Sequence, residues 1–385
     1  MEFVRMTDSR KHFTAGETAL SEGESSMKFV PGLELSRMLY EEELKPIMEG
    51  KLSGLRYAAA TLGMCSEVFG LDDEISMDHE WGPRVSIFLS EQDHIRYATD
   101  MMAVFRELLP TEFKGFDMMW RKPGVDVHDT RKTILYHVGV STVPKVLDFY
   151  GGITALPLQD MDWLRISEQH LLEFTSGVVY RDDIGELTRA RELLKCYPDN
   201  VLRFLLMCDW NAVGGDWFPI GRIGSRGDRL GLRIQAAKAA HRLMHIAFMV
   251  SRRYSPYKKW FGTLFKALPV AHALEPILLD LFKEEEWQQV EEKLGEAASI
   301  LLQQQNKLGI TPTIAMEAEI VDDGRQHIKY DFGGIGRQLA EGIQPPLKSL
   351  MEHQVGWLHE RSLILWNEEV GKWSLLLQQQ NAYEG

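Results

Sequence analysis

Gly63-Met64-Cys65-Ser66, followed by Ser76-Met77-Asp78-His79-Glu80-Trp81-Gly82-Pro83, is the stretch on which the fold turns. A small-residue turn after an apolar run leads to two carboxylates at i and i+2. In an extended segment Asp78 and Glu80 project to the same side, with Cα atoms about 6–7 Å apart. Such a pair can share a divalent cation, and Mg²⁺ is commonly held by one or two carboxylates plus substrate phosphates. A polar turn ahead of the pair can hold a phosphate through backbone N–H groups. Together these parts make the arrangement that moves a nucleotidyl group. The competing reading is a solvated acidic loop, because Asp72, Asp73 and Glu74 lie just upstream. The flanks argue for the first reading. Arg56–Leu62 has the character of a short buried strand, and Arg84–Leu89 alternates polar and apolar residues as a strand does. The acidic pair is therefore expected at a strand start.

Working outward, 385 residues suffice for two domains. A hydrophobic content of 44% and a charged content of 26% fit a globular chain, and no apolar run is long enough for a membrane span. The formal charge of −13 speaks against general nucleic-acid binding, which needs a positive face. A local basic pocket for one nucleotide stays compatible with it. Cys65, Cys196 and Cys208 are too few and too scattered for a disulfide framework or a zinc site, so a reducing cytoplasm is expected.

The organisation expected is α+β. Residues 1–26 are polar and read as a disordered extension. Residues 27–150 read as a mixed β-sheet domain, with a helix over Gln92–Leu109 whose stripe is Ile95, Ala98, Met102 and Phe105, and further strands over Phe113–Trp120 and Ile134–Thr142. Residues 151–312 carry long helical patterns, Glu168–Thr175, Glu186–Lys195, Val201–Ala212 and Leu230–Arg253, and read as a helical bundle domain. Residues 313–385 read as a hairpin around Asp322-Asp323-Gly324 and a helical tail. Trp357, Trp366 and Trp373 in that tail offer a homodimer contact.

Several blocks resemble a bacterial and fungal family of unknown function that couples a nucleotidyltransferase-like domain to a helical C-terminal domain. They are Lys28–Ser36, Ser66–Gly70, Asp78–Pro83, Gly185–Thr188 and Tyr254-Ser255-Pro256-Tyr257-Lys258-Lys259-Trp260-Phe261-Gly262-Thr263. The similarity runs from about residue 28 to about 335. It implies the polymerase-β-like superfamily, whose kanamycin-nucleotidyltransferase-like enzymes also use Asp-x-Glu. The resemblance implies a nucleotidyltransferase fold, Asp78 and Glu80 as catalytic metal ligands, Gly63 and Ser66 at the phosphates, and Tyr257, Lys258 and Lys259 closing on the nucleotide. It implies one Mg²⁺ or two, an NTP such as ATP, and a small acceptor. The chain departs from the pattern at three places. Cys65 stands where a glycine is expected, Asp78-His79-Glu80 stands where relatives often have Asp-His-Asp, and Gly139 stands where relatives carry a third acid. A non-catalytic nucleotide binder or partner-binding protein of the same fold is the alternative.

Other residues carry bland readings beside sharper ones. Asp182 reads as a surface cap or a general base. Gly221–Asp228 reads as a helix entry capped by Asp228, or as a phosphate loop with Arg222 and Arg226. His241 and His245 stand at i and i+4 on a helix without a further ligand pattern, so core or surface is expected over metal.

Overall fold

The computed structural model describes residues 29–78, 81–120, 135–321, 324 and 327–351. The expected disordered extension at 1–26 and the tryptophan tail lie outside the described residues. The architecture is mixed α+β.

Helices α1 (Gly32–Leu39) and α2 (Lys45–Lys51), joined by a π turn, precede strand β1 (Ala58–Thr61). Strand β2 (Val85–Phe88), helix α3 (Glu91–Leu108), strand β3 (Val138–Ser141) and helix α4 (Val143–Gly151) follow. Then come helix α5 (Glu168–Thr175), strand β4 (Val178–Asp182) and helices α6 (Glu186–Leu193), α7 (Asp199–Trp217), α8 (Arg229–Val250), α9 (Ala271–Leu281) and α10 (Trp287–Lys307). Strands β5 (Ala318–Val321) and β6 (His327–Tyr330) form the expected hairpin, and helix α11 (Phe332–Glu341) follows.

The central sheet has the order β3-β2-β1-β4. β2 and β3 are parallel, while β1 is antiparallel to both of its neighbours. Side chains alternate across it. Ala59, Val85, Ile87 and Leu89 join Leu35, Leu39, Met101 and Phe105 on one face. Ala58, Ala60, Leu62 and Phe88 face the opposite way, into a core built largely from the later helices. Alanine is a weak strand former alone. In β1 its small side chain lets layers on both faces close over the strand, and all four residues are buried.

Four expectations are corrected. The stripe on α3 is rotated: Met101 and Phe105 are buried, whereas Ile95 is 87% exposed. Phe113–Trp120 is not one strand, because Lys114 and Gly115 both have positive φ and turn the chain back between Glu112–Phe113 and Phe116–Asp117. Ile134–Thr142 divides at His137, with Leu135–Tyr136 pairing Met119–Trp120 and only Val138–Ser141 joining the main sheet. Strand β4 lies within the segment read as helical, yet it forms the sheet edge beside β1.

Gly177 enables that edge. Its φ is +75°, and a Cβ there would meet the Thr61 carbonyl oxygen at 2.0 Å. Gly177→Ala is therefore expected to destabilise the fold by about 2–4 kcal/mol, from backbone strain and the clash together. Urea denaturation checks this; an unchanged midpoint would contradict the close approach.

Candidate functional site

At the end of β1 the chain enters the turn that the sequence singled out. Gly63 has φ +112° and donates its N–H to the Glu173 backbone carbonyl at 3.1 Å. Cys65 is extended and begins a short 3₁₀ turn, Ser66–Phe69, which Gly70 ends in the left-handed conformation. Glycine supplies both positive-φ positions at little steric cost.

The turn is anchored from below. Glu67 is fully buried and pairs with Arg84, Oε1 to Nε, at 2.8 Å. Burial raises the Glu67 carboxyl above its usual range, and the Arg84 guanidinium pulls the other way. Arg84 also fixes the backbone: its N–H donates to Ser36 Oγ at 3.1 Å and its carbonyl accepts from Thr61 Oγ1 at 2.6 Å. Asp72 accepts from the Gly32 N–H at 2.7 Å and from Trp81 Nε1 at 3.1 Å, which ties the start of α1 to the same loop. Sequence reasoning missed Glu67 and Arg84. The signal was an acid inside an otherwise apolar Val68-Phe69 turn, with an arginine at the next strand start.

The acidic pair is placed only in part. Asp78 ends a 3₁₀ turn, Ser76–Asp78, and β2 begins at Val85, so the segment is not extended up to Asp78 as expected. The Asp78 side chain and all of Glu80 lie outside the described residues. Gly139 sits on β3 opposite Ser86 with open space around it.

The Tyr254–Trp260 block is tied to the same helix as this loop, since the Tyr257 N–H donates to Gln169 and the Gly63 N–H to the Glu173 carbonyl, both on α5. Burial raises the Tyr257 phenol, with Cys65 and Glu173 acting in the same direction. Asp73 is held below the usual carboxylate range first by the Ser76 N–H, with the Lys259 ammonium contributing. Lys259 also lies over the Trp260 ring at 4.8 Å. Tyr257 and Lys259 thus lie within electrostatic reach of the Cys65–Asp73 loop, and Lys258 and Lys259 are both exposed.

A buried relay holds that block. His245 Nδ1 bonds Asp209 at 2.5 Å and Nε2 bonds Glu168 at 2.9 Å. Ser255 donates to Glu168 both from its hydroxyl and from its N–H, the latter at 3.1 Å. Burial alone opposes a charged imidazole, but the Asp209 and Glu168 carboxylates outweigh it and hold the His245 pKa well above the usual value. Among the remaining candidates, Asp182 is a cap, accepting from Gly185 N–H, Thr188 N–H and Thr188 Oγ1. Asp228 caps α8 through the Gly231 N–H, and Arg222 lies over Phe218. His241 stacks on Phe261.

His245→Gln is expected to cost about 3–5 kcal/mol at neutral pH, because it leaves two buried carboxylates without their cation. A raised folded-state pKa means that the histidine's contribution is complete below the ordinary histidine range and is lost as pH rises through the raised value. The stability gap between wild type and variant should therefore narrow toward alkaline pH in parallel denaturant titrations. A gap independent of pH there would refute a charged His245.

In comparisons with known proteins, no curated protein and no solved structure matches the chain. Residues 163–261, which contain β4, the relay and the Tyr254–Trp260 block, match the family described as Domain of unknown function (DUF4037).

Proposed function

We propose that the protein is a Mg²⁺-dependent nucleotidyltransferase that moves a nucleoside monophosphate from an NTP to a hydroxyl of a small acceptor. The observation that carries this reading is that one helix, α5, holds two segments far apart in sequence, the Gly63 turn through the Glu173 carbonyl and the Tyr257–Lys259 block through Gln169. The order helix, strand, turn, strand, helix, strand, helix around a small mixed sheet also agrees with a nucleotidyltransferase-like fold.

Asp78 and Glu80 would offer only oxygen donors, the ligand type that suits Mg²⁺. When bound there, the ion supplies neutralisation of the triphosphate charge. Ser66 and the neighbouring N–H groups would hold the terminal phosphates. Lys259 or Lys258 would meet them as a point charge, and Tyr257 would stack on the base. The acceptor oxygen would bond to the α-phosphorus as the bond to pyrophosphate breaks.

A second reading, a nucleotide binder without turnover, is favoured by Gly139 and Cys65. It predicts NTP binding without pyrophosphate release.

Under the proposed reading, Asp78→Asn and Glu80→Gln should each remove the Mg²⁺-dependent thermal shift given by NTPs while leaving the ligand-free melting temperature near wild type. Equal NTP shifts in wild type and both variants would sink the metal assignment.

Lys259→Ala should weaken NTP binding more than adenosine binding, since the lost contact is with phosphate. Parallel losses for both ligands in calorimetric titrations would assign Lys259 to packing on Trp260 alone.

A further inference from the structure

Helix α5 touches both halves of the proposed nucleotide site, and a single pair of side chains makes the connection. Gln169 Oε1 accepts the Tyr257 N–H at 2.9 Å. Gln169 Nε2 donates to Glu173 Oε1 at 2.8 Å. The Glu173 backbone carbonyl accepts the Gly63 N–H at 3.1 Å. One turn of helix thus spans from the nucleotide-facing block to the glycine that opens the Cys65–Gly70 turn. The Glu173 end of the bridge is enclosed: Glu173 is 4% exposed, and its carboxylate also accepts a hydrogen bond from Tyr150, whose ring stacks on His170 at 4.4 Å.

We infer that the Gln169–Glu173 pair is the positioning element that fixes Tyr257 relative to the Gly63–Gly70 turn, and so sets how tightly the nucleoside end of an NTP is held. This rests on the nucleotide-binding reading above. Neither side chain is assigned a contact with the ligand. Gln169 is the one of the two that bonds the Tyr257 backbone, and Glu173 holds the other end of the same amide. The Tyr257 N–H is bonded by a side chain instead of by a helix or sheet ladder, so at this end of the block its position follows Gln169.

Glu173 gives the bridge a second property. Burial pushes its carboxyl up to about 7, against the Gln169 and Tyr150 hydrogen bonds and the Arg84 charge. The groups facing it are Arg84 ahead of β2, Tyr150 on α4, Gln169 on its own helix and Tyr257 in the block above. A raised carboxyl pKa means the acid is neutral below about 7 and ionised above it. As pH rises through that value a negative charge appears beside the triphosphate site, so nucleotide affinity falls.

The test titrates MgATP and magnesium tripolyphosphate into the full chain at pH 6 and pH 8, using wild type, Gln169→Ala and Glu173→Gln. Gln169→Ala should weaken MgATP roughly tenfold, the scale of one base-stacking contact, and leave tripolyphosphate nearly unchanged. Glu173→Gln should match wild type for MgATP at pH 6 and hold that affinity at pH 8, where wild type weakens several-fold. Equal losses for both ligands in Gln169→Ala, or no loss, would overturn the positioning role. The same pH profile in Glu173→Gln as in wild type would overturn the charge effect, and it does so even if Gln169→Ala fails to fold. Absence of MgATP binding by wild type at both pH values would overturn the nucleotide reading itself, an outcome distinct from binding that ignores the two substitutions.

Discussion

A charged imidazole enclosed by two carboxylates is the constraint on which the site depends. His245, Asp209 and Glu168 come from three different helices, α8, α7 and α5, and all three are buried. Taking these charges out of water is expensive, and the arrangement is tolerable only when each is paired and hydrogen-bonded. Glu168 meets that demand partly through Ser255, whose N–H and hydroxyl both point to it. The electrostatics of the helical core therefore dictate where the chain goes after α8. The Tyr254–Trp260 block is placed by the relay at one end and by Gln169 at the other. Two neighbouring residues at the start of α5 thus transmit the packing of the bundle to the loop above the sheet.

The opposite wall of the site is built on a different principle. The Ser66–Phe69 turn is drawn onto the sheet by Glu67, which reaches inward to Arg84. Arg84 in turn uses its backbone to join Ser36 on α1 and Thr61 on β1. A buried acid within the turn keeps that face of it directed toward the sheet. Asp72 adds a polar tie to the first residue of α1. The loop is thus held by ionic and hydrogen-bonded contacts beneath it, while glycines at both ends supply the dihedral angles that let it turn.

How much of this was legible depended on whether the cause was local. Helix ends were readable where a cap was recognised in the sequence: Asp228 caps α8 as expected, whereas Ser90, which caps α3, was not singled out. The hairpin of β5 and β6 followed from Asp322-Asp323-Gly324. Strand β4 was hidden, because Val178–Asp182 owes its conformation to pairing with β1 far away in sequence, although Gly177-Val178-Val179-Tyr180 carried a weak β-branched signal. The α3 face was misjudged by a fraction of a turn, since Ile95 fits a helical stripe yet points to solvent. In the site, Gly63 and Tyr257 stood out as residue types, but the Gln169–Glu173 bridge between them did not. A glutamine and a glutamate at i and i+4 look like an ordinary exposed helix pair. Only the three-dimensional path shows that this face of α5 is covered. The relay was equally hidden, because its members are spread over some eighty residues.

Strand β4 also has a consequence for the order in which the protein is made. Ala58 pairs with Asp182, so β1 is an unpaired sheet edge until the later segment has been synthesised. At typical elongation rates that interval is on the order of ten seconds. An open edge with strand-forming neighbours invites pairing with other chains. A nascent chain with β1 to β3 complete and β4 still inside the ribosome is therefore the species most exposed to edge-to-edge association. A truncation ending between α4 and β4 would expose that same edge permanently.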